Sequence, residues 1–315
     1  MVNETIVNYK QVVNDLGEEI QRGRWDKRNH TQTMEYLIHG LFLIMGLLTV
    51  GCVLLITVYL VISGIPAICE IGLADFLFRM EWASTASDPK YGILPFILTS
   101  IYGTSGAILI GVPVGFMTAV YLSKLASSKV KAIMQSAVSL LAGIPSVVYG
   151  LLGMLILVPG IRKIFNVPDG ASLLAAIIVL AVMILPSIIK MSINALDAVP
   201  KEYEDASLAL GATPIETYFK VSVPAAKSGI AAAVVLGVGR AIGEAMAVMM
   251  VAGNVPNMPD SLFQSVRFLT TAVSSEMSYS SGLQRQALFS IALVLFLFIM
   301  LINATLNFFL KREKE

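Results

Sequence analysis

The sequence predicts an all-α integral membrane protein with six membrane-spanning helices and a helical hairpin between the fourth and fifth. Three observations support this fold class. Of its 315 residues, 56% are hydrophobic and only 14% are charged, whereas soluble domains carry about 25% charged residues. Five apolar stretches free of Asp, Glu, Lys and Arg reach the roughly 20 residues needed to cross the hydrocarbon. A polar segment after the fourth of them carries helix start and stop signals.

The six spans divide the chain into three parts. We expect an N-terminal segment of residues 1–35, a membrane domain of residues 36–310 and a tail of residues 311–315. The N-terminal segment is an interfacial helix, a solvated tail or a short docking helix. The fifth span has the required length but contains Arg240 and Glu244. The predicted spans are about 37–65, 95–122, 132–160, 171–195, 228–253 and 286–310.

Lysine and arginine are distributed unevenly over the connections between the spans. Fourteen lie in the N-terminal segment, the loops after the second and fourth spans and the C-terminus, against six in the alternate connections. Basic residues flanking membrane helices are retained on the cytoplasmic side. Both termini, and the loop of residues 190–227, are therefore expected in the cytoplasm.

Enzymatic signatures are missing from these 315 residues. Cys52 and Cys69 form no disulfide framework or zinc-type spacing, and His30 and His39 belong to no metal or nucleophile constellation. The chain also lacks the G-x4-G-K-[ST] loop that cradles nucleotide phosphates. We expect a protein that is not an enzyme, holds no cofactor and has no nucleic-acid partner.

Glycine and proline recur inside the spans, notably Gly143 and Pro145 in the third and Gly237 and Gly239 in the fifth. Such residues allow close packing and kinks in any helical bundle. They also suit helices that bend while a substrate passes. The sequence leaves both roles open.

The segment of residues 199–224 is predicted to form two short helices. Pro200 suits a helix start, and Glu204 and Asp205 follow in the first turn, where acids complement the helix dipole. Gly211 is placed to end this helix in a left-handed conformation.

A second helix begins just after this glycine. Thr213 is its expected N-cap, Pro214 its first residue and Glu216 the partner in a capping box, and Pro224 is expected to end it. Two capped helices with apolar faces either fold back on their own bundle or form a rigid knob for another protein. Local physics does not choose between these interpretations.

The same segment resembles the signature loop of binding-protein-dependent ABC importer permeases, written E-A-A-x3-G-x9-I-x-L-P. In register, this chain reads Asp205-Ala206-Ser207, three residues, Gly211, nine residues and Val221-Ser222-Val223-Pro224. The departures are Asp205 in the glutamate position and Ser207 in the second alanine position. Glu204 supplies a glutamate only one residue out of register.

The resemblance implies a type I ABC importer permease, in which two permeases form the pathway and each inserts a coupling helix into a separate cytoplasmic ATPase. The lack of a phosphate-cradling loop agrees with ATP being bound by another polypeptide. The residues expected to couple to the ATPase are Glu204, Asp205, Ala206, Gly211, Ala212, Thr213 and Pro214.

Arg240 and Glu244 are the charged residues of the fifth span. Being four apart, they are expected to share one helical face. An arginine at mid-membrane costs roughly 2.5–3.5 kcal/mol on insertion scales, so it normally faces a protein interior or a partner. The two residues form either a self-neutralising pair, or an anion pathway in which Glu244 holds the guanidinium. A guanidinium fork matches tetrahedral oxyanions.

The run Gly239–Val248, G-R-A-I-G-E-A-M-A-V, resembles the fifth-span motif of phosphate ABC transporter permeases, and Tyr91–Pro95 and Gly143–Gly150 resemble further motifs of that family. The similarity extends from about residue 37 to 310, and M-A-V after the glutamate is typical of the C-type subunit. The resemblance implies a protein that lies in the lipid of a prokaryotic plasma (inner) membrane and imports inorganic phosphate across it. It also implies three partners: an A-type permease that completes a heterodimer, an ATPase dimer and an extracytoplasmic phosphate-binding protein. The binding protein is expected to dock on loops 66–94 and 254–286 of this chain.

Other functions stay open at this point. Arg240 alone cannot rank oxyanions, so sulfate, molybdate and phosphonate are alternative cargoes. An ion-coupled secondary transporter or channel is less favoured, because the sequence shows no convincing inverted repeats and carries a permease-type loop. A membrane enzyme has little support in the residues.

Overall fold

The computed structural model describes the backbone of residues 2–312 and the side chains of residues 34–305 and 308. The protein is 78% helical, with one short antiparallel strand pair, Trp82–Ala83 (β1) and Lys90–Tyr91 (β2), in the described part. The helices are α1 (Val2–Ile71), α2 (Leu73–Phe78), α3 (Leu94–Val120), α4 (Ser128–Gly143), α5 (Ser146–Leu152), α6 (Val158–Phe165), α7 (Leu173–Asp197), α8 (Lys201–Ala209), α9 (Pro214–Thr217), α10 (Val223–Ala225), α11 (Lys227–Gly243), α12 (Met246–Val251), α13 (Leu269–Glu276) and α14 (Gly282–Arg312). The π-helical segments are Tyr121–Leu125, Gly153–Leu157 and Tyr218–Ser222.

Within the described residues, five helices are long and apolar enough to cross a membrane. A sixth crossing is present if the helices on either side of Ala226, which are bent by 71° relative to each other, count as one broken span. The prediction of a helical membrane protein is confirmed. The five spans are Met34–Ile71, Leu94–Leu125, Ser146–Phe165, Leu173–Asp197 and Gly282–Thr305, and the bent pair is Pro214–Ala225 with Lys227–Gly243.

The chain divides into two compact units, Met1–Tyr59 and Leu60–Glu315. In the first unit, the apolar side chains of α1 from Met34 onward are exposed, as expected for a helix surrounded by lipid. The backbone before Met34 continues the same helix. The prediction of an interfacial helix within residues 1–35 falls on side chains 1–33, which lie outside the described residues.

Helix α7 forms the centre of the second unit, buried between α3 and α11. Glycines allow this approach, since Gly111 of α3 lies against Ile184, and Gly237 of α11 lies against Ile188. Small residues are enriched at membrane helix contacts because association there depends on close packing rather than on a hydrophobic driving force. Gly237 therefore lies at a packing contact, whereas the space beside Gly239 is open.

The third predicted span, residues 132–160, is broken in the structure. Helix α4 ends at Gly143, and Ile144 is extended, with φ −70° and ψ 127°. Pro145 explains this, because its ring disfavours helical backbone at the preceding residue. The stretch long and apolar enough to cross is instead Ser146–Phe165.

The fifth predicted span, residues 228–253, is also broken. Helix α11 ends at Gly243, and Glu244 is extended, with φ −73° and ψ 126°. The Thr270 hydroxyl donates a 2.9 Å hydrogen bond to the Glu244 carbonyl. The carbonyl of Glu244, which lies beyond the end of α11, thus has a hydrogen-bond partner. Backbone groups at membrane depth need such partners because there is no water to bond to them.

The first break is satisfied in a similar way. The carbonyl of Leu141 would normally bond to the N–H of residue 145, which is a proline and has none. Instead it accepts a 3.2 Å hydrogen bond from the N–H of Ile144 and a 2.7 Å hydrogen bond from the Tyr149 hydroxyl. Beyond this residue, Gly150 packs directly on Ala247, so that α5 and α12, which follow the two breaks, lie against each other.

Replacing Gly150 with alanine should destabilise the protein. The added Cβ would lie 2.8 Å from the Cα and 3.0 Å from the carbonyl oxygen of Ala247. Because backbone atoms cannot rotate away, α5 and α12 would have to separate, and such overpacking costs about 1–3 kcal/mol. A lower midpoint of thermal unfolding in detergent micelles is expected.

The matched control is Gly160→Ala, in the same membrane span. A Cβ at Gly160 meets nothing within 4 Å, and alanine is the better helix former. Equal midpoints for the two variants would contradict the close contact.

Candidate functional site

Residues 199–224 form the expected pair of short helices, called here the hairpin. Gly211 has φ +88°, in the left-handed region that favours glycine at a helix end. At the start of α9, the Thr213 hydroxyl accepts from the N–H of Glu216 at 3.3 Å, and the Glu216 carboxylate accepts from the N–H of Thr213 at 3.1 Å. The predicted glycine stop and capping box are confirmed.

The prediction that Pro224 ends the second helix is wrong. The helical path continues from α9 through the π-helical segment Tyr218–Ser222 into α10, which has Pro224 in its first turn. Pro224, which has no N–H to donate, lies just beyond the π-helical segment, where the backbone has already left the regular α-helical hydrogen-bond pattern. The chain turns only at Ala226, by 71°.

Glu204 points into the protein and not toward its surroundings. Its carboxylate accepts hydrogen bonds from Lys124 Nζ at 2.5 Å and from the Ser222 hydroxyl at 2.8 Å. The side chains of Lys124 and Glu204 are only 11% and 18% exposed. Since Lys124 lies in the π-helical segment that follows α3, this ion pair ties the hairpin to the end of a membrane span.

A second ion pair lies at the root of the hairpin, by which we mean the end of α7 just before residue 199. Asp197, the last residue of α7, accepts from Lys131 Nζ of α4 at 3.0 Å and from the Ser123 hydroxyl at 2.6 Å. The hairpin and its root are therefore connected to the ends of α3, α4 and α7. Sequence reasoning missed these contacts, because none of the four bonds to Glu204 and Asp197 joins near neighbours in the chain.

The opposite face of the hairpin is exposed and partly apolar. Leu210 is 90% exposed and Ile215 is 61% exposed. These apolar side chains lie on a small, internally bonded element and are free to contact another protein. Of the residues predicted to couple to an ATPase, Glu204 and Ala212 are half-buried, and the exposed ones are Asp205, Ala206, Gly211, Thr213 and Pro214.

Arg240 lies half-buried in the last turn of α11. Its guanidinium donates a 3.2 Å hydrogen bond to the hydroxyl of Ser187 on α7. The prediction that it shares a helical face with Glu244 is wrong, because the helix ends at Gly243 and four-residue spacing aligns side chains only in a continuous helix. The Glu244 carboxylate instead accepts from the N–H of Ala247, at the start of α12.

This arrangement leaves the charge of Arg240 uncompensated among the side chains that the structure describes. A guanidinium has five N–H donors, and the hydrogen bond found within this part of the chain is made to a neutral hydroxyl. None of the ion pairs formed by these side chains involves Arg240. The Arg240 guanidinium can therefore bind an anion without first breaking an ion pair with a carboxylate.

A polar cluster joins the two loops expected to receive a binding protein. Glu276 forms an ion pair with Arg267, with side chains 17% and 15% exposed, and it also accepts hydrogen bonds from Trp82, Ser84 and Gln284. Sequence reasoning missed this cluster as well. Trp82 and Ser84 lie 194 and 192 residues from Glu276 in the chain, and no local pattern signals their proximity.

Residues 111–314 match a family described as binding-protein-dependent transport system inner membrane component. The chain belongs to this family. The permease is 42% identical over 266 residues to the probable ABC transporter permease protein YqgH of Bacillus subtilis, with 82% of this chain and 86% of the relative covered. It is 33% identical over 242 residues to the phosphate transport system permease protein PstC of Pasteurella multocida, with coverage of 71% and 75%. PstC of Haemophilus influenzae is 33% identical over 260 residues, with coverage of 76% and 82%.

Solved structures of ABC transporters share the fold of the permease. The inward-facing MetNI methionine ABC transporter superimposes with a TM-score of 0.52 at 22% identity, covering 70% of this chain and 94% of that one. An amino acid ABC transporter with histidines gives 0.51 at 21% identity, covering 70% and 92%. At this identity, the likeness shows the fold alone. The predicted fold class, that of an ABC importer permease, is confirmed.

Proposed function

We propose that the protein is the C-type permease subunit of an ATP-driven, binding-protein-dependent phosphate importer. It forms half of the translocation pathway together with an A-type permease and couples to a separate cytoplasmic ATPase dimer. The observation that carries the anion pathway is Arg240, a half-buried cation in a membrane helix whose hydrogen bond goes to a neutral hydroxyl. Relatives named as phosphate permeases, 33% identical over most of the chain, support it.

The position of Arg240 suits an anion pathway. A guanidinium presents planar paired donors that match tetrahedral oxyanions. It lies one turn before the break at Glu244, and irregular backbone at membrane depth is tolerated only inside protein or along a water-filled cavity. Glu244, which holds the start of α12, sets the shape of this region and does not neutralise the arginine.

The hairpin is suited to transmit force from the ATPase. Its exposed face, with Asp205 and Leu210, would enter a cleft of the ATPase, while the buried ion pair of Glu204 with Lys124 connects it to α3. Asp205, in the register position of the family glutamate, is then the acid that meets the ATPase.

The proposed cycle follows from these parts. The loaded binding protein docks on loops 66–94 and 254–286, on the side opposite the hairpin. ATP binding closes the ATPase dimer and moves the hairpin, which rocks the permease pair outward. Phosphate then passes Arg240, and hydrolysis resets the inward-facing state. In this orientation, both termini are cytoplasmic.

Uptake of radiolabelled phosphate tests the function directly. The assembly of both permeases, the ATPase dimer and the binding protein in lipid vesicles should accumulate phosphate only with ATP and binding protein, and equimolar sulfate should not compete. Inhibition by sulfate would assign a different oxyanion. Uptake without the ATPase would indicate a secondary transporter.

Replacing Leu210 with serine should weaken ATPase binding roughly tenfold. The leucine is 90% exposed in the isolated permease, and burying such a side chain at an interface contributes about 1.5–3 kcal/mol. Titration of the fluorescently labelled ATPase with purified permease in micelles would measure the affinity. Ala209→Ser, at the neighbouring exposed position, is the control. An unchanged affinity for the Leu210 variant would argue against this docking face, as would ATPase association after deletion of residues 201–220.

A further inference from the structure

A polar stripe continues along α7 beyond the contact with Arg240. Ser187, Lys190 and Asn194 are spaced three and four residues apart, so they follow one face of the helix. At 1.5 Å per residue, Lys190 lies about 4.5 Å beyond Ser187 along the axis, in the direction of the hairpin. All three residues lie in the last eleven residues of α7, at the end of this membrane-spanning helix that is expected to face the cytoplasm.

Helix α4 supplies a matching polar face. Gln135 and Ser139, four residues apart, line a cavity of about 240 Å³ together with Lys190 and Asn194 of α7. That space accommodates several water molecules. It can hold a tetrahedral oxyanion with part of its hydration shell.

The charge of this cavity is positive. Lys190 forms no ion pair or hydrogen bond with any side chain that the structure describes, and no acidic residue lines the cavity. Lys190, Asn194 and Ser139 are exposed and Gln135 is half-buried, so the cavity is open to the surroundings of the permease. A lysine near the end of a membrane helix can extend its ammonium to a polar environment, and here it reaches this cavity. The polar groups beside the ammonium, from Gln135, Asn194 and Ser139, are neutral. Because Lys190 therefore supplies the charge of this lining, the cavity favours an anion.

We propose that Lys190, Gln135, Ser139 and Asn194 form a second oxyanion site, which receives the anion released by Arg240 on its way toward the hairpin end of α7. This site rests on the proposed function, in which Arg240 lines an anion pathway. An ammonium binds as a point charge and lacks the paired donors of a guanidinium, so it holds the anion less specifically. That difference suits a transfer site, because passage requires binding that is strong enough to admit the ion and weak enough to release it.

The first experiment replaces Lys190 with glutamine in the complete assembly in lipid vesicles. The maximal rate of phosphate uptake should fall roughly tenfold, the lower end of the range expected when one charged hydrogen-bond donor is removed, because Lys190 is exposed. ATP hydrolysis and assembly should be unchanged, because the side chain holds no other described element in place. Lys129→Gln is the control, since Lys129 is an exposed lysine of α4 outside this cavity.

The second experiment restores the charge chemically. Cys52 and Cys69, both exposed, are first replaced with alanine, and Lys190→Cys is introduced. Aminoethyl methanethiosulfonate, which attaches an ammonium through a disulfide, should restore uptake, whereas the sulfonatoethyl reagent should not. Inorganic phosphate should also slow the modification.

The outcomes separate this site from the proposed function. An assembly with native Lys190 that takes up no phosphate would overturn the function itself. Normal uptake by the native assembly and by Lys190→Gln would overturn only the second site, because a lysine that merely reached the lipid headgroups could be replaced without effect. Equal rescue by both reagents would overturn the role of the charge.

Discussion

Replacement of Arg240 with glutamine should lower phosphate uptake roughly 10- to 100-fold, the range expected for losing about 1.5–3 kcal/mol from one charged hydrogen-bond donor. The arginine makes its described hydrogen bond to neutral Ser187, so its loss leaves no carboxylate unpaired. The variant should therefore fold and assemble normally. Initial uptake rates in vesicles, normalised to assembled complex, would measure the effect.

Two further variants separate charge from geometry at this position. Arg240→Lys keeps the charge but loses the planar fork, so its uptake should lie between those of the native protein and Arg240→Gln. Ser187→Ala removes only the group that orients the guanidinium and should reduce uptake a few-fold. Transport at the normal rate by an assembled Arg240→Gln complex would refute the pathway role.

Replacement of Glu204 with alanine should uncouple ATP hydrolysis from uptake. The change leaves Lys124, which is 11% exposed, without its carboxylate and removes the acceptor of Ser222. An uncompensated buried donor costs about 1–3 kcal/mol, so the hairpin should detach from the end of α3. Movement of the ATPase would then no longer reach that span, and the ratio of ATP hydrolysed to phosphate transported should rise several-fold.

The control for this uncoupling is Glu202→Ala. Glu202 lies in the same turn of α8 but is exposed, so its loss should not change the ratio. The docking face with Leu210 is intact in both variants, and both should still bind the ATPase. A native ratio for Glu204→Ala would show that the ion pair with Lys124 does not transmit the movement.

The hairpin was predictable because its signals are local. Gly211, Thr213 and Glu216 act on backbone groups within three residues of themselves, and the left-handed glycine and the capping box are found where the sequence places them. The break at Ile144 also has a local cause in Pro145. Helical continuity across it was expected only because the apolar run extends on both sides.

The break at Glu244 has no comparable signal. The sequence around it contains no proline, and a spacing of four residues from Arg240 indicates a shared helical face. The extended backbone is instead held by Thr270 and by the capping of Ala247. One of these contacts joins residues 26 positions apart, so it exists only once α13 has packed beside α12, which follows the break.

Composition and local spacing were enough to establish a polytopic helical membrane protein, a capped hairpin and an arginine that needs a polar neighbour, because hydropathy, caps and turns act over a few residues. Tertiary structure decided which groups meet. Arg240 pairs with Ser187 and not with Glu244, and Glu204 pairs with Lys124, 80 residues away. Such partners depend on how the helices pack, since a membrane-spanning sequence specifies which faces are apolar but not which faces come together.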